Sequence, residues 1–329
     1  VLKKATSKFD FAEVDKLGQV TKKDYLDFHI EQILKIPYVN INAIKEKKIK
    51  VVVDAVNSVG GIAVPKLLNA LGVETVFELY CEPNGKFAHN PEPLPEHISA
   101  LSSEVKQRKA DLGIAVDPDV DRLALVDEKG TPFGEEYTLV AVADYVLQHK
   151  KGNTVSNLSS TKALRDISQK HGVQYNASAV GEVNVVEKMK ETNAVIGGEG
   201  NGGIILPELH YGRDALVGIA LFLSHLATTK KSVHAIRAQY PNYVISKNKI
   251  QLEDSMNLQD IIEKVKDKYK QYPHNTIDGL RIDIDDDWVH LRGSNTEPII
   301  RIYAESSTEQ TANATAQKMM KDITAILKA

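Results

Sequence analysis

Cysteine is nearly absent from this 329-residue chain, with Cys81 standing alone. One thiol excludes an internal disulfide and any metal centre built on several cysteines. A dominant charge sign is missing too. The formal net charge is −3, which gives no electrostatic reason to expect nucleic acid or an anionic membrane surface as partner. No apolar run approaches the length of a membrane-spanning helix. The opening stretch VLKKATSKFDFAEV has basic residues but no continuous apolar core after them, so it does not read as a signal peptide. It also lacks an initiator methionine, and the chain is expected to be a piece of a longer, cytoplasmic protein. Hydrophobic residues are 42% and charged residues 26%, the balance of a globular protein long enough for two or three domains.

The stretch richest in chemistry is DLGIAVDPDVDRLALVDEKG, Asp111–Gly130. Leu112–Val116 reads as a buried strand, and a second apolar run starts at Leu123. Between them stand Asp117, Asp119 and Asp121, followed by Arg122. Three carboxylates at alternate positions of a tight loop repel one another. A hard divalent cation such as Mg²⁺ would hold them together through all-oxygen ligands. An EF-hand loop is an alternative, with Glu128 at its twelfth position, but Arg122 stands where that loop needs glycine. A phosphatase-type site with Asp117 as nucleophile is another. Arg122 adds a cation where an anionic substrate could arrive.

The rest of the chain alternates strands and helices. A helix is expected from a Thr21 cap through Leu34, and a strand at Ile49–Asp54. Gly60-Gly61 then opens a helix that leads to a strand at Val73–Leu79, completing a β-α-β unit. CEPNGKFAHNPEPLP forms a long loop before a helix at Glu96–Lys109, and Glu135–Lys150 reads as a helix. Residues 1–150 therefore read as one α/β domain. The grammar restarts over 151–241, with strands expected at Thr154–Leu158, Val173–Val180 and Ala194–Gly198, which suggests a duplicated architecture. After Pro241 it changes to strands joined by tight turns with two helices. Residues 242–329 are expected to form a small antiparallel α+β domain. The fold class is thus two consecutive α/β domains with mixed or parallel sheets and a C-terminal α+β domain.

Two more loops carry polar chemistry. Gly197-Gly198-Glu199-Gly200-Asn201-Gly202-Gly203 follows a strand, at the end of an α/β sheet where ligands bind. Its glycines let backbone approach a ligand, while Glu199 and Asn201 could bond adjacent sugar hydroxyls. A plain glycine-rich turn with a solvated glutamate is the alternative. Arg292-Gly293-Ser294-Asn295-Thr296-Glu297-Pro298, with Arg301 on the next strand, gathers hydroxyls, an amide and guanidiniums that suit a phosphate dianion. A polar hairpin is the bland counterpart.

In this order, DPDVDR, GGEGNGG and RGSNTEP with Arg301 resemble the three site loops of the α-D-phosphohexomutases, which include phosphoglucomutase/phosphomannomutase and phosphoglucosamine mutase. FAHNPEP and ADLGIAVDPDVDR are similar to that family's second domain. The resemblance spans essentially the whole chain. It implies family domains 2, 3 and 4 at 1–150, 151–241 and 242–329, and an intramolecular phosphotransferase that interconverts hexose 1- and 6-phosphates through a phosphoserine and a bisphosphate. It implies Mg²⁺ on Asp117, Asp119 and Asp121, with Arg122 beside the transferring phosphate. Glu199 and Asn201 would take the sugar's 3- and 4-hydroxyls, Arg213 could face phosphate, and Arg292, Ser294, Asn295, Thr296 and Arg301 would grip the other phosphate. Two departures stand out. The family's serine loop is absent, since Ala88 precedes His89-Asn90-Pro91, so the chain alone is expected to be inactive without the missing N-terminal domain. Glu182 and Val183 occupy places where many members carry a basic residue, which leaves the general acid/base open. A non-catalytic sugar-phosphate-binding protein is the alternative from another functional class.

Overall fold

The computed structural model describes residues 11–252, 257–294 and 297–328. The first helices are α1 (Leu26–Leu34) and α2 (Ile41–Lys47). A four-stranded sheet follows, made of β1 (Lys50–Asp54), β2 (Thr75–Leu79), β3 (Leu112–Val116) and β4 (Leu123–Asp127). Helices α3 (Gly60–Leu71) and α4 (Ser99–Arg108) connect its first three strands. The order is β2-β1-β3-β4, with β1 parallel to both neighbours and β4 antiparallel to β3. All of β3 and β4 is buried, as their unbroken apolar runs require.

After α5 (Glu135–His149) the pattern repeats. The second sheet holds β5 (Thr154–Asn157), β6 (Tyr175–Ser178), β7 (Ile196–Glu199) and β8 (Gly203–Ile205), with helices α6 (Ala163–Lys170) and α7 (Glu182–Thr192). Its order, β6-β5-β7-β8, has the same parallel, parallel, antiparallel pairings. Then come α8 (Ala215–Thr229) and α9 (Val233–Arg237). Helix α8 is apolar on almost every face and buried throughout its middle, which marks an internal helix. It and α5 sit in one core that joins Leu67 and Ile114 of the first unit to Ile196 and Ile204 of the second.

The last unit is an antiparallel sheet of β9 (Val244–Gln251), β10 (His274–Asn275), β11 (Leu280–Ile284), β12 (Asp287–Gly293) and β13 (Ile299–Ser306). Its order is β10-β11-β12-β13-β9. Helices α10 (Leu258–Lys268) and α11 (Glu309–Lys328) cover it. It has its own core, around Val265, Leu291, Ile302 and Met319. The expected class, two α/β units and an antiparallel α+β unit, is what the structure shows.

Local differences have local causes. Helix α1 starts at Leu26 and not after Thr21; the Asp24 carboxylate accepts the Leu26 amide at 2.9 Å just ahead of the first turn. Helix α4 begins at Ser99, three residues later than Glu96. Helix α2 was not expected from sequence; the Asn40 side chain caps it by accepting from the Ala43 amide. The EF-hand alternative fails, because the residues after the acid loop pair with β3 as a hairpin. Glu128 accepts the His234 amide at 3.1 Å instead of turning toward the aspartates.

Candidate active site

The turn between β3 and β4 is closed by Asp117. Its Oδ1 accepts the amides of Asp121 and Arg122, both at 3.0 Å. Val120 lies in the left-handed region at φ 63°, a strained place for a β-branched residue. Its carbonyl is held by the Ala215 amide at 3.0 Å. The turn thereby brings ligand oxygens of Asp117, Asp119 and Asp121 within 4.8 Å of one another. Burial, with the charges of Asp121 and Asp119 close by, pushes the Asp117 carboxyl up to about 7, against the pull of the Arg122 amide. Asp121 Oδ1 is buried with no hydrogen-bond partner. An orphaned carboxylate oxygen inside a three-carboxylate set fits a hard divalent cation.

The turn between β7 and β8 occupies the same topological place in the second sheet. Its Glu199 is buried. Oε1 accepts from Asn157 Nδ2 at 2.9 Å and from the Gly181 amide at 3.2 Å, and Oε2 pairs with Arg213 Nη1 at 3.0 Å. One acceptor site of the roughly four on a carboxylate stays open. Asn201 Oδ1 accepts the Gly203 amide at 3.2 Å, so its amide nitrogen is left to donate. Gly202 lies at φ 83°, and a Cβ there would stand 2.2 Å from the Leu123 carbonyl. Only glycine permits this contact, in which the Gly202 carbonyl accepts the Leu123 amide at 3.1 Å and joins the two turns.

Arg213 ties the same two turns together electrostatically. Its guanidinium holds Asp121 and Glu199, with Glu182 Oε2 at 3.6 Å from Nε. The guanidinium expected to face phosphate is thus in contact with three carboxylates. Glu182 also accepts the Arg213 amide at 2.9 Å. Its place after Gly181 is therefore that of a brace.

From the third unit, Arg292 and Arg301 stand directly opposite each other across β12 and β13. Like charges so placed destabilise a sheet unless an anion offsets them. Arg292 Nε pairs with Asp278 Oδ2 at 3.0 Å, and that oxygen also accepts the Val180 amide at 2.9 Å. Among the described residues no carboxylate pairs with Arg301. His290, buried under this sheet, donates from Nε2 to the Asp278 carbonyl at 2.6 Å and accepts the Ser159 hydroxyl at Nδ1, 2.8 Å away. Asn295 and Thr296 lie outside the described residues.

These units converge. Arg122, Glu199, Asn201, Arg292 and Arg301 line one cleft of about 500 Å³. Ser294 lies with Arg292 on an adjoining recess of about 360 Å³. Sequence reasoning passed over several cleft residues. Glu92 pairs with Arg122 Nη1 at 3.0 Å, although its loop had been noted only for its likeness. Asn157 ends β5 and Ser159 follows it, at a sheet's carboxyl end, a position where ligand contacts are common. Glu136 packs beneath Gly200, where a Cβ would meet its carboxylate at 2.0 Å. It accepts the Thr161 amide at 2.9 Å, and burial holds its carboxyl well above the usual range. Nothing in its local sequence marked it.

Three family models match in order. They are phosphoglucomutase/phosphomannomutase alpha/beta/alpha domain II over residues 24–130, alpha/beta/alpha domain III over 134–243, and the C-terminal domain over 249–322. A phosphoglucomutase/phosphomannomutase of Thermococcus kodakarensis is 35% identical over 92% of this chain and 66% of its own length. A phosphoglucosamine/phosphogalactosamine mutase of Sulfurisphaera tokodaii is 32% identical over 96% of this chain and 70% of its own. The crystal structure of a phosphoglucomutase/phosphomannomutase family protein from Burkholderia thailandensis superposes with a TM-score of 0.78 at 27% identity, covering 93% of this chain and 65% of that one. The chain belongs to the phosphoglucomutase/phosphomannomutase family. It spans about two thirds of the length of these relatives.

Proposed function

We propose that this chain carries the cation-, sugar- and phosphate-holding parts of a phosphohexomutase that interconverts hexose 1- and 6-phosphates. The observation that carries the reading is the single cleft lined by Arg122, Glu199, Asn201, Arg292 and Arg301 from three folded units. Asp117, Asp119 and Asp121 would hold Mg²⁺, which when bound offsets charge on the transferring phosphoryl group. Arg122 lies beside those acids, its Nε 3.8 Å from Asp117 and from Asp121, and it also lines the cleft. Glu199 accepts one sugar hydroxyl through its open acceptor site, and Asn201 donates to a neighbour. Arg292 and Arg301 fork the distal phosphate, with Ser294, Asn295 and Thr296 completing that grip. Binding this phosphate relieves the opposed guanidiniums and sets the other end of the sugar toward the acid turn. One grip then serves both substrate orientations.

The serines on the cleft wall are poor phosphoryl carriers. Ser159 is committed to His290, and Ser160 donates to Asn157 while accepting the Gly200 amide. The phosphoserine is therefore assigned to a domain beyond these residues, and the chain alone binds without turning over. The test combines calorimetric titration with a turnover assay. The 329-residue protein should bind glucose 1-phosphate in Mg²⁺, lose at least tenfold in affinity on Arg301→Ala, and show no glucose 6-phosphate formation with catalytic glucose 1,6-bisphosphate. Turnover by a homogeneous sample, with ³²P mapping to Asp117, would establish an aspartyl-phosphate enzyme instead. Binding indifferent to Arg301→Ala would remove the phosphate assignment.

A further inference from the structure

Among the described residues two groups of three potential ligands converge, the acid turn and a second one formed by His29, His210 and Asp214. The second set assembles from distant parts of the chain. His29 is on α1, His210 follows β8, and Asp214 is the N-cap of α8. Asp214 divides its two oxygens. Oδ1 accepts the amides of Leu216 and Val217 at 2.8 and 3.2 Å, so the carboxylate cannot swing. Oδ2 is left to the imidazoles, and His29 Nε2 and His210 Nε2 both reach it, at 2.8 and 3.0 Å. The side chains of His29 and His210 are 30% and 41% exposed, while Asp214 is 7% exposed. An ion could enter from solvent and find a fixed anionic oxygen at the base.

We propose that His29, His210 and Asp214 form a second metal site, for a borderline transition cation of the Zn²⁺ class and distinct from the acid turn. Two imidazoles and one carboxylate suit such a cation and not Mg²⁺, which prefers oxygen. In the Nδ1–H tautomer each Nε2 gives up its hydrogen bond to Oδ2 and offers a lone pair, and a ring rotation turns that lone pair from the oxygen toward a shared ion. Ligands of a tetrahedral zinc at about 2.0–2.1 Å sit roughly 3.3 Å apart. The two separations from Oδ2, 2.8 and 3.0 Å, would open by about 0.3–0.5 Å, and the three ligand atoms already lie within 4.8 Å of one another. Water completes the coordination on the exposed side. A bound ion would staple α1 to the start of α8, one residue from Arg213, so the site acts as a structural clasp between those helices.

The test uses the full chain stripped with chelator and then titrated with Zn²⁺ against a chromophoric competitor. One equivalent should bind, and 1 mM Mg²⁺ should leave the affinity unchanged. His210→Ala and His29→Ala should each weaken it at least tenfold, while Asp119→Asn should not. Co²⁺ should give visible d–d bands in the parent that His210→Ala removes. His210→Gln keeps side-chain volume and guards against a folding artefact; circular dichroism unchanged with zinc binding lost supports the site. Absence of stoichiometric zinc binding in the parent, or binding equal in parent and both histidine variants, would reduce the cluster to a hydrogen-bonded helix clamp and sink the proposal.

Discussion

The turns after β3 and after β7 occupy the same place in two sheets of the same strand order, and they solve opposite problems. The first concentrates charge: three carboxylates on six residues, one oxygen orphaned, and a left-handed valine held by an amide of α8. The second removes side chains, so that backbone and the Glu136 carboxylate can come close. Neither is complete alone. Arg213 and the Leu123–Gly202 hydrogen bond lock them into one surface. One topology thus supplies a charge-dense turn and a glycine-rich turn, by changing only which atoms crowd the strand ends.

The largest break in this pairing is Arg213→Ala. It strands Asp121 and Glu199 as uncompensated part-buried carboxylates, and should cost about 3–5 kcal/mol in urea unfolding. Arg213→Lys should recover only part of it, because an ammonium cannot fork three carboxylates. Gly202→Ala comes next. A left-handed alanine costs roughly 1–2 kcal/mol, and its Cβ would also sit 2.2 Å from the Leu123 carbonyl. A total of about 3 kcal/mol is expected, with faster amide exchange at Leu123 as the specific mark.

A third test sharpens the contrast with the separately cored C-terminal unit. Burial lowers the His290 imidazole to about 4 from the ordinary 6.5, so it stays neutral in the fold. The unfolded chain then binds the extra proton between those values. Stability is full above about pH 6.5 and falls as pH drops toward 4, by up to about 3 kcal/mol. His290→Asn should lower the melting temperature at pH 7 yet flatten its decline between pH 6.5 and 4.5. An unchanged slope would contradict this assignment. The smallest effect on the fold belongs to Asp119→Asn. Asp119 is exposed, so stability should move by less than about 0.5 kcal/mol. Mg²⁺ affinity measured by calorimetry should nonetheless fall at least tenfold, unlike an exposed carboxylate elsewhere.

Much of this was legible in the residues. The buried strands of the first sheet, the acid turn and the arginine turn each announce themselves within a few positions. The helix at Ile41–Lys47 was not legible, since its Asn40 cap precedes only a short amphipathic run. Strand β8 was hidden as well, because Gly203 at its start reads as a continuation of the glycine turn. Arg213 read as a phosphate ligand beside a helix cap, and Glu182 as a gap in a pattern. Arg213 pairs with Asp121, 92 residues away, and with Glu182, 31 residues away, and no local signal encodes ion pairs of that span.

By itself, the sequence determined the periodicities that make two α/β units and an antiparallel one, and the residue types of each turn, because strand burial and turn chemistry are local. Only the tertiary structure decided that Arg122, Glu199, Arg292 and Arg301 share one cleft, that Arg213 is spent on three carboxylates, and that His29 meets His210 on one oxygen of Asp214. Those are meetings between elements brought together by packing around a common core, and core packing is set by the whole chain at once.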